Sequence, residues 1–147
     1  MKQTSTRGRP EFRFERLEVW QLARAFNRVI YRISRRFPEE EKFGITSQIR
    51  RASVSISSNI AEGSGRNSDA DFAHFLEIAY GSLMETVSQL FLALDEEYLS
   101  LDTFEKITVD ADLLASKIVA LAKSLGRKSR IAQRKMTSVE SPASSAR

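Results

Sequence analysis

The sequence predicts an all-α protein, an antiparallel up-down-up-down four-helix bundle. Four stretches carry apolar residues at the spacing of an amphipathic helix. The chain has only three prolines and six glycines, and most of them fall outside these stretches. No segment alternates apolar and polar residues between turn signals, as a half-buried strand would. Short connections between the four stretches favour antiparallel neighbours.

The first two helices are predicted at residues 14–37 and 46–62. The apolar residues of the first stretch fall on one arc of about 100°. Pro38 ends this helix because the residue before a proline avoids the α region. Gly63 and Gly65 follow the second stretch and are predicted to end it.

The third and fourth helices have N-cap signals. Ser68, with Asp71 three residues later, resembles a capping box, and this helix is predicted to end near residues 95–98. Ser100 is the predicted N-cap of the fourth helix, whose apolar residues repeat at the 3-4 spacing of a bundle seam. Gly126 is predicted to stop it.

Composition excludes several classes of protein. The chain has 147 residues, a length typical of one domain, with no cysteine and one histidine. A disulfide scaffold, a thiolate metal site and a cysteine nucleophile are therefore excluded. The longest run without a charged residue is 52–61, too short to span a bilayer. Because the N-terminus has no apolar segment of the secretory type, we expect a cytoplasmic protein.

The positive charge lies at the two ends of the chain. Residues 1–16 contain five basic and two acidic residues, and residues 127–147 contain six basic and one. The intervening residues contain 12 basic and 16 acidic residues. We therefore divide the chain into a basic N-terminal arm at 1–13, a bundle at 14–126 and a basic tail at 127–147. The tail is expected to be flexible because it holds few apolar residues.

The polar face of the first helix carries a row of arginines, here called the arginine stripe: Arg24, Arg28, Arg32 and Arg35. Helical spacing places Trp20 and Tyr31 beside this stripe and outside the core arc. Cations flanked by aromatic rings are typical of phosphate contacts combined with base stacking. The alternative is a solvated face with both rings at a subunit contact. Further candidate nucleic-acid contacts are Arg50, Arg51, Arg66, Arg127, Lys128, Arg130, Arg134 and Lys135.

The third helix is apolar on more than one side. Phe75, Ile78, Ser82 and Leu92 lie on a second arc, away from the core seam. Such a surface favours self-association, with these residues at the oligomer interface. The small residues Gly81 and Ser82 equally fit a tight helix crossing within one chain.

No motif in the sequence indicates catalysis. Asp71, His74 and Glu77 share neighbouring helical turns, but a di-iron bundle needs a second histidine motif. The glycine-containing loop at 62–68 lacks the spacing of a phosphate-binding P-loop. We therefore expect no enzymatic activity, no metal and no cofactor.

Residues 14–23 and, more closely, residues 48–66 resemble the four helix bundle protein family, also called the large-subunit rRNA intervening-sequence proteins. Positions in the third helix, including Phe72, Leu76 and Glu85, resemble the same family. The chain is also similar to the accessory variability proteins of diversity-generating retroelements. That resemblance implies a basic homopentamer of bundles that works with a reverse transcriptase and nucleic acid.

Two functions follow as hypotheses. The first is a non-enzymatic, homo-oligomeric bundle, pentameric if the resemblance holds, that binds RNA or DNA through the arginines and the tail. The alternative is a scaffold that binds another protein through Trp20 and Tyr31 or through the third helix, without direct contact to nucleic acid.

Overall fold

The computed structural model describes residues 8–139, and it confirms the predicted all-α four-helix fold. The helices are α1 at Glu18–Ser34, α2 at Ile45–Ser64, α3 at Asp69–Asp95 and α4 at Leu101–Val139. Short 3-10 turns at Arg13–Arg16 and Glu39–Glu41 precede α1 and α2. No strand occurs within residues 8–139. Each helix packs against the next one in the chain, and α4 packs against α1.

One continuous apolar core lies between the four helices. It is built from the helical stripes that the sequence predicts, because each stripe faces the bundle axis. The largest fully buried apolar side chains are Ile30 of α1; Ile49, Ile56 and Ile60 of α2; Leu76, Leu83 and Leu90 of α3; and Leu114 and Ile118 of α4.

The first helix begins four residues later than predicted. Residues Arg13–Arg16 form a 3-10 turn, and Leu17 is extended, with φ −77° and ψ 123°. The turn is held by Glu15, whose carboxylate accepts the Phe12 N–H at 2.6 Å. Arg13 donates from Nη1 to the Ser64 carbonyl at 3.0 Å, so the turn is fixed to the end of α2.

Both predicted N-caps are confirmed. Ser68 Oγ accepts the Asp71 N–H at 3.1 Å, and Ser100 Oγ accepts the Thr103 N–H at 3.2 Å. The turn between α3 and α4 is a Schellman motif, in which the Tyr98 N–H bonds the Ala93 carbonyl.

Gly63 does not end α2, contrary to the prediction. It lies inside the helix and is buried, and Gly65 is the C-cap residue. A Cβ atom on Gly63 would lie 2.6 Å from Phe75 Cβ and 2.9 Å from Phe72 Cδ2. Gly63 is therefore required by the close approach of α2 to α3.

The predicted end of α4 at Gly126 is wrong, because the helix continues to Val139. A glycine inside a helix costs only about 1 kcal/mol, and the arginines, lysines, alanine and glutamine that follow favour helix. We call residues 127–139 the α4 extension. The flexibility predicted for residues 140–147 concerns positions outside the described residues.

Within the described part of the chain, no helix combines the length and the apolar composition needed to cross a membrane.

Candidate nucleic-acid interface

The bundle has a basic side and an acidic side. Residues 19–38 and 42–61, which include nearly all of α1 and α2, contain eight basic residues and no Asp or Glu. Residues 69–95, which form α3, contain five acidic residues and no Lys or Arg. Since α1 packs against α2 and α4 but not against α3, the basic outer face of α1 lies across the bundle from the acidic helix.

The arginine stripe lies on the outer face of α1. All four of its side chains are exposed. They lie opposite the buried Phe26 and Ile30, which face the core.

Trp20 packs at the N-terminal end of the arginine stripe. Its indole is half-buried, with the Phe14 ring centroid at 4.8 Å and the Arg24 guanidinium at 5.5 Å from the Trp20 ring centroid. Trp20 therefore lies beside the arginines, as helical spacing predicts. Its role in stacking stays a prediction.

Tyr31 connects α1 to α2. The Arg50 guanidinium lies 4.9 Å from the centroid of the Tyr31 ring, and Arg50 Nε donates to Ser34 Oγ at 2.8 Å. Arg50 is thus half-buried and held in the helix interface. Arg51, the next residue, is exposed on the outer face of α2 and remains available to a ligand.

Arg66, in the loop between α2 and α3, is engaged by a residue of each helix. Its guanidinium pairs with Glu62 at 2.9 Å and lies 4.6 Å from the centroid of the Phe75 ring. Because a carboxylate already compensates its charge, Arg66 contributes less to the basic surface than the arginine stripe does.

The candidate cations of the tail lie on the α4 extension. Arg134 and Lys135 are exposed on this helix. For Arg127, Lys128 and Arg130 the backbone is helical and the side chains lie outside the described residues. The backbone positions of the basic residues from Arg127 to Lys135 therefore lie on one helix.

The four predicted interface residues of α3 divide into two pairs. Ile78 and Leu92 are 41% and 53% exposed and remain candidates for an interface between chains. Ser82 is buried inside the chain, and its hydroxyl lies 2.9 Å from Ser55 Oγ. Phe75 is half-buried against the end of α2. The tight crossing within one chain therefore accounts for Ser82 and Phe75.

Three further apolar side chains of α3 are exposed, outside the second arc that the sequence predicts: Tyr80, Met84 and Phe91. With Ile78 and Leu92 they form the set that we call the α3 outer face. Gly81 lies on this side as well, and no atom of the chain lies within 4 Å of the position that its Cβ would take.

Serines in the middle of α2 form hydrogen bonds to both neighbouring helices. Ser53 Oγ donates to Asn27 Oδ1 of α1 at 2.9 Å, whereas Ser55 contacts Ser82 of α3. Asn59 Nδ2 donates to the Ser55 carbonyl at 2.8 Å. This polar segment of α2 therefore holds the bundle together on two sides, because buried hydroxyl and amide groups need partners.

A groove of about 850 Å³ opens between the C-terminal half of α1, the α3–α4 turn and the first turns of α4. We call it the end groove. Its apolar lining includes Val29, Ile33, Leu99 and Ile107, and Arg32 and Arg36 lie at its α1 side. Tyr98 also lines it, and burial, followed by the nearby Glu41 carboxylate, raises the pKa of this phenol. Arg36 was not among the predicted contacts, although helical spacing places it nearer to Ile33 than to Arg35.

The described residues contain no group of three His, Asp or Glu side chains that could hold a metal ion. His74 is exposed on α3, and its ring lies 6.1 Å from that of Phe75.

These features define a helical bundle with one basic face, and comparison with known proteins assigns its family. Residues 15–120 match the 23S rRNA-intervening sequence protein family, and the chain belongs to this family. It is similar to the crystal structure of a protein of unknown function, from the S23 ribosomal protein family, of Bacteroides thetaiotaomicron. The TM-score is 0.67 at 28% identity, covering 71% of this chain and 98% of that one. No curated protein matches the chain.

Proposed function

We propose that this protein is a non-enzymatic, homo-oligomeric bundle that binds RNA or DNA through the basic face of α1. The observation that carries the proposal is the arginine stripe on a surface that contains no carboxylate from residue 19 to residue 38. An exposed row of arginines attracts a polyanion, because each phosphate contact releases condensed counterions. Arg51 and the α4 extension add cations outside the stripe.

The binding is expected to depend on phosphates more than on base sequence. Guanidinium groups on a solvent-exposed helix face position a nucleic-acid backbone but read no base edges by themselves. If several copies assemble, the arginine stripe is repeated, and weak contacts add by avidity. The similarity to the accessory variability proteins of diversity-generating retroelements favours five copies. We propose a cytoplasmic accessory factor to an rRNA intervening sequence or to a reverse transcriptase.

The test is the affinity for labelled RNA and DNA, measured by fluorescence anisotropy at several salt concentrations. Replacing Arg24 and Arg35 by Glu should lower the affinity at least about tenfold at low salt. It should also reduce the slope of log K against log salt by about 2, because two phosphate contacts are lost.

The matched control replaces Lys42 and Lys123 by Glu, which changes the net charge equally but leaves α1 unchanged. This variant should lose little affinity. The proposal is contradicted if the two variants behave alike, if the wild-type affinity does not change with salt, or if the wild type does not bind at low salt.

A further inference from the structure

The end groove is continuous with the arginine stripe. Arg32 belongs to the stripe and also lines the groove, and Arg36 lies in the turn that follows the C-cap of α1. A strand that follows the stripe toward the C-terminal end of α1 therefore reaches the mouth of the groove.

The cations at the groove are available to a ligand. Within the described residues, neither Arg32 nor Arg36 forms an ion pair. Lys106, on the α4 side, is already paired with Asp102 at 3.0 Å. The positive charge open to an anion is thus concentrated on the α1 side of the groove.

The rest of the lining suits a flat, mostly apolar group with hydrogen-bond donors. Val29, Ile33 and Ile107 supply apolar surface, and Glu97 and Asp110 supply carboxylates. Carboxylates repel a phosphate but accept hydrogen bonds from the exocyclic amino group of a base. The volume lies within the range of about 300–1,000 Å³ that is usual for small-ligand sites.

We propose that the end groove receives one unstacked base of a single-stranded nucleic acid, with the adjoining phosphates on Arg32 and Arg36. This inference rests on the proposed function and extends it to a substrate class. A base paired in a duplex cannot enter the groove unless it leaves its stack, so the protein binds single strands more tightly than duplexes. The carboxylates favour a base with an exocyclic amino group, such as cytosine, over thymine.

The experiment compares two neighbouring arginines by anisotropy, with a mixed-sequence DNA single strand and its duplex as probes. Arg36→Gln removes a charge at the groove, whereas Arg35→Gln removes the same charge from the stripe. We expect Arg36→Gln to lower single-strand affinity at least about fivefold and to lower duplex affinity by a clearly smaller factor. Arg35→Gln should weaken both probes by similar factors.

A second measurement reports on the base. Wild-type protein should bind oligo(dC) more tightly than oligo(dT), and Asp110→Asn should reduce that ratio. Equal effects of Arg36→Gln on both probes, or a dC/dT ratio unchanged by Asp110→Asn, would overturn the groove assignment and leave the proposed function standing. If the wild type binds neither the single strand nor the duplex, both the groove assignment and the proposed function are overturned.

Discussion

At Gly63 the backbone of α2 lies so close to α3 that a side chain would not fit. Its missing side chain leaves room for the rings of Phe72 and Phe75. The sequence marks a glycine here but does not show whether it ends a helix or admits a neighbour. Only the packing of α3 distinguishes the two.

Gly63→Ala should therefore destabilise the protein. The added methyl group meets Phe75 Cβ and the Phe72 ring, and overpacking of this kind costs about 1–3 kcal/mol. Urea unfolding followed by circular dichroism measures the change. Gly65→Ala is the control, since the nearest atom to its added Cβ, the Glu62 carbonyl oxygen, lies 3.5 Å away. Equal stability of both variants would contradict this assignment.

A helical wheel predicts the position of some of the candidate functional residues but not of others. The wheel correctly sets Trp20 beside Arg24, because both lie on one helix at fixed spacing. It does not reveal that Arg66 pairs with Glu62 while covering Phe75. Contacts of that kind depend on how a loop folds back, which periodicity does not specify.

The α4 extension shows that a helix end is harder to predict than a helix. Gly126 is a breaker by preference only, and the residues that follow it form helix readily. The backbone of residues 127–135 therefore continues α4 beyond the glycine that was predicted to stop it.

The stability of the turn at Arg13–Arg16 is expected to depend on the protonation of Glu15. The hydrogen bonds from Arg9 and from the Phe12 N–H lower the pKa of this carboxyl to about 2. Because the pKa is lowered on folding, the stabilising effect of Glu15 is complete above its ordinary value of 4.5. It is lost as the pH falls from there toward 2.

Trp20 is the single tryptophan and contacts Phe14 of this turn, so its fluorescence reports the transition. We expect the emission of Trp20 to change as the pH is lowered from about 4.5 to 2. This change should be absent in Glu15→Gln and retained in Glu11→Gln. Circular dichroism of the same samples separates it from unfolding of the bundle. An identical titration in Glu15→Gln would show that another group is responsible.

The bundle has two unlike surfaces, a basic face on α1 and the α3 outer face, where large apolar side chains are exposed among the acidic residues of that helix. Five large apolar side chains, each 37–53% exposed, lie on that part of α3. An apolar surface of this kind favours contact with another protein, and a second copy is the partner that our proposal requires.

Self-association can be tested by light scattering on nuclease-treated protein. The wild type should exceed the mass of 16.7 kDa expected for one chain, and the double variant Ile78→Glu, Leu92→Glu should dissociate. Phe43→Glu is the control, because Phe43 is 91% exposed in the loop before α2, away from α3. A monomeric wild type would remove the oligomer from the proposed function, without affecting binding through the arginine stripe.

Periodicity, capping residues and charge were enough to predict four helices, their core stripes, two N-caps and a basic face. Each of these depends on residues close together in the chain. The burial of Ser82, the tight approach at Gly63 and the end groove could not be predicted, because each needs side chains from separate helices or loops. Spacing along a helix says which residues share a face, but the rotation and contact of the neighbouring helices decide which faces are covered and which remain open to a ligand.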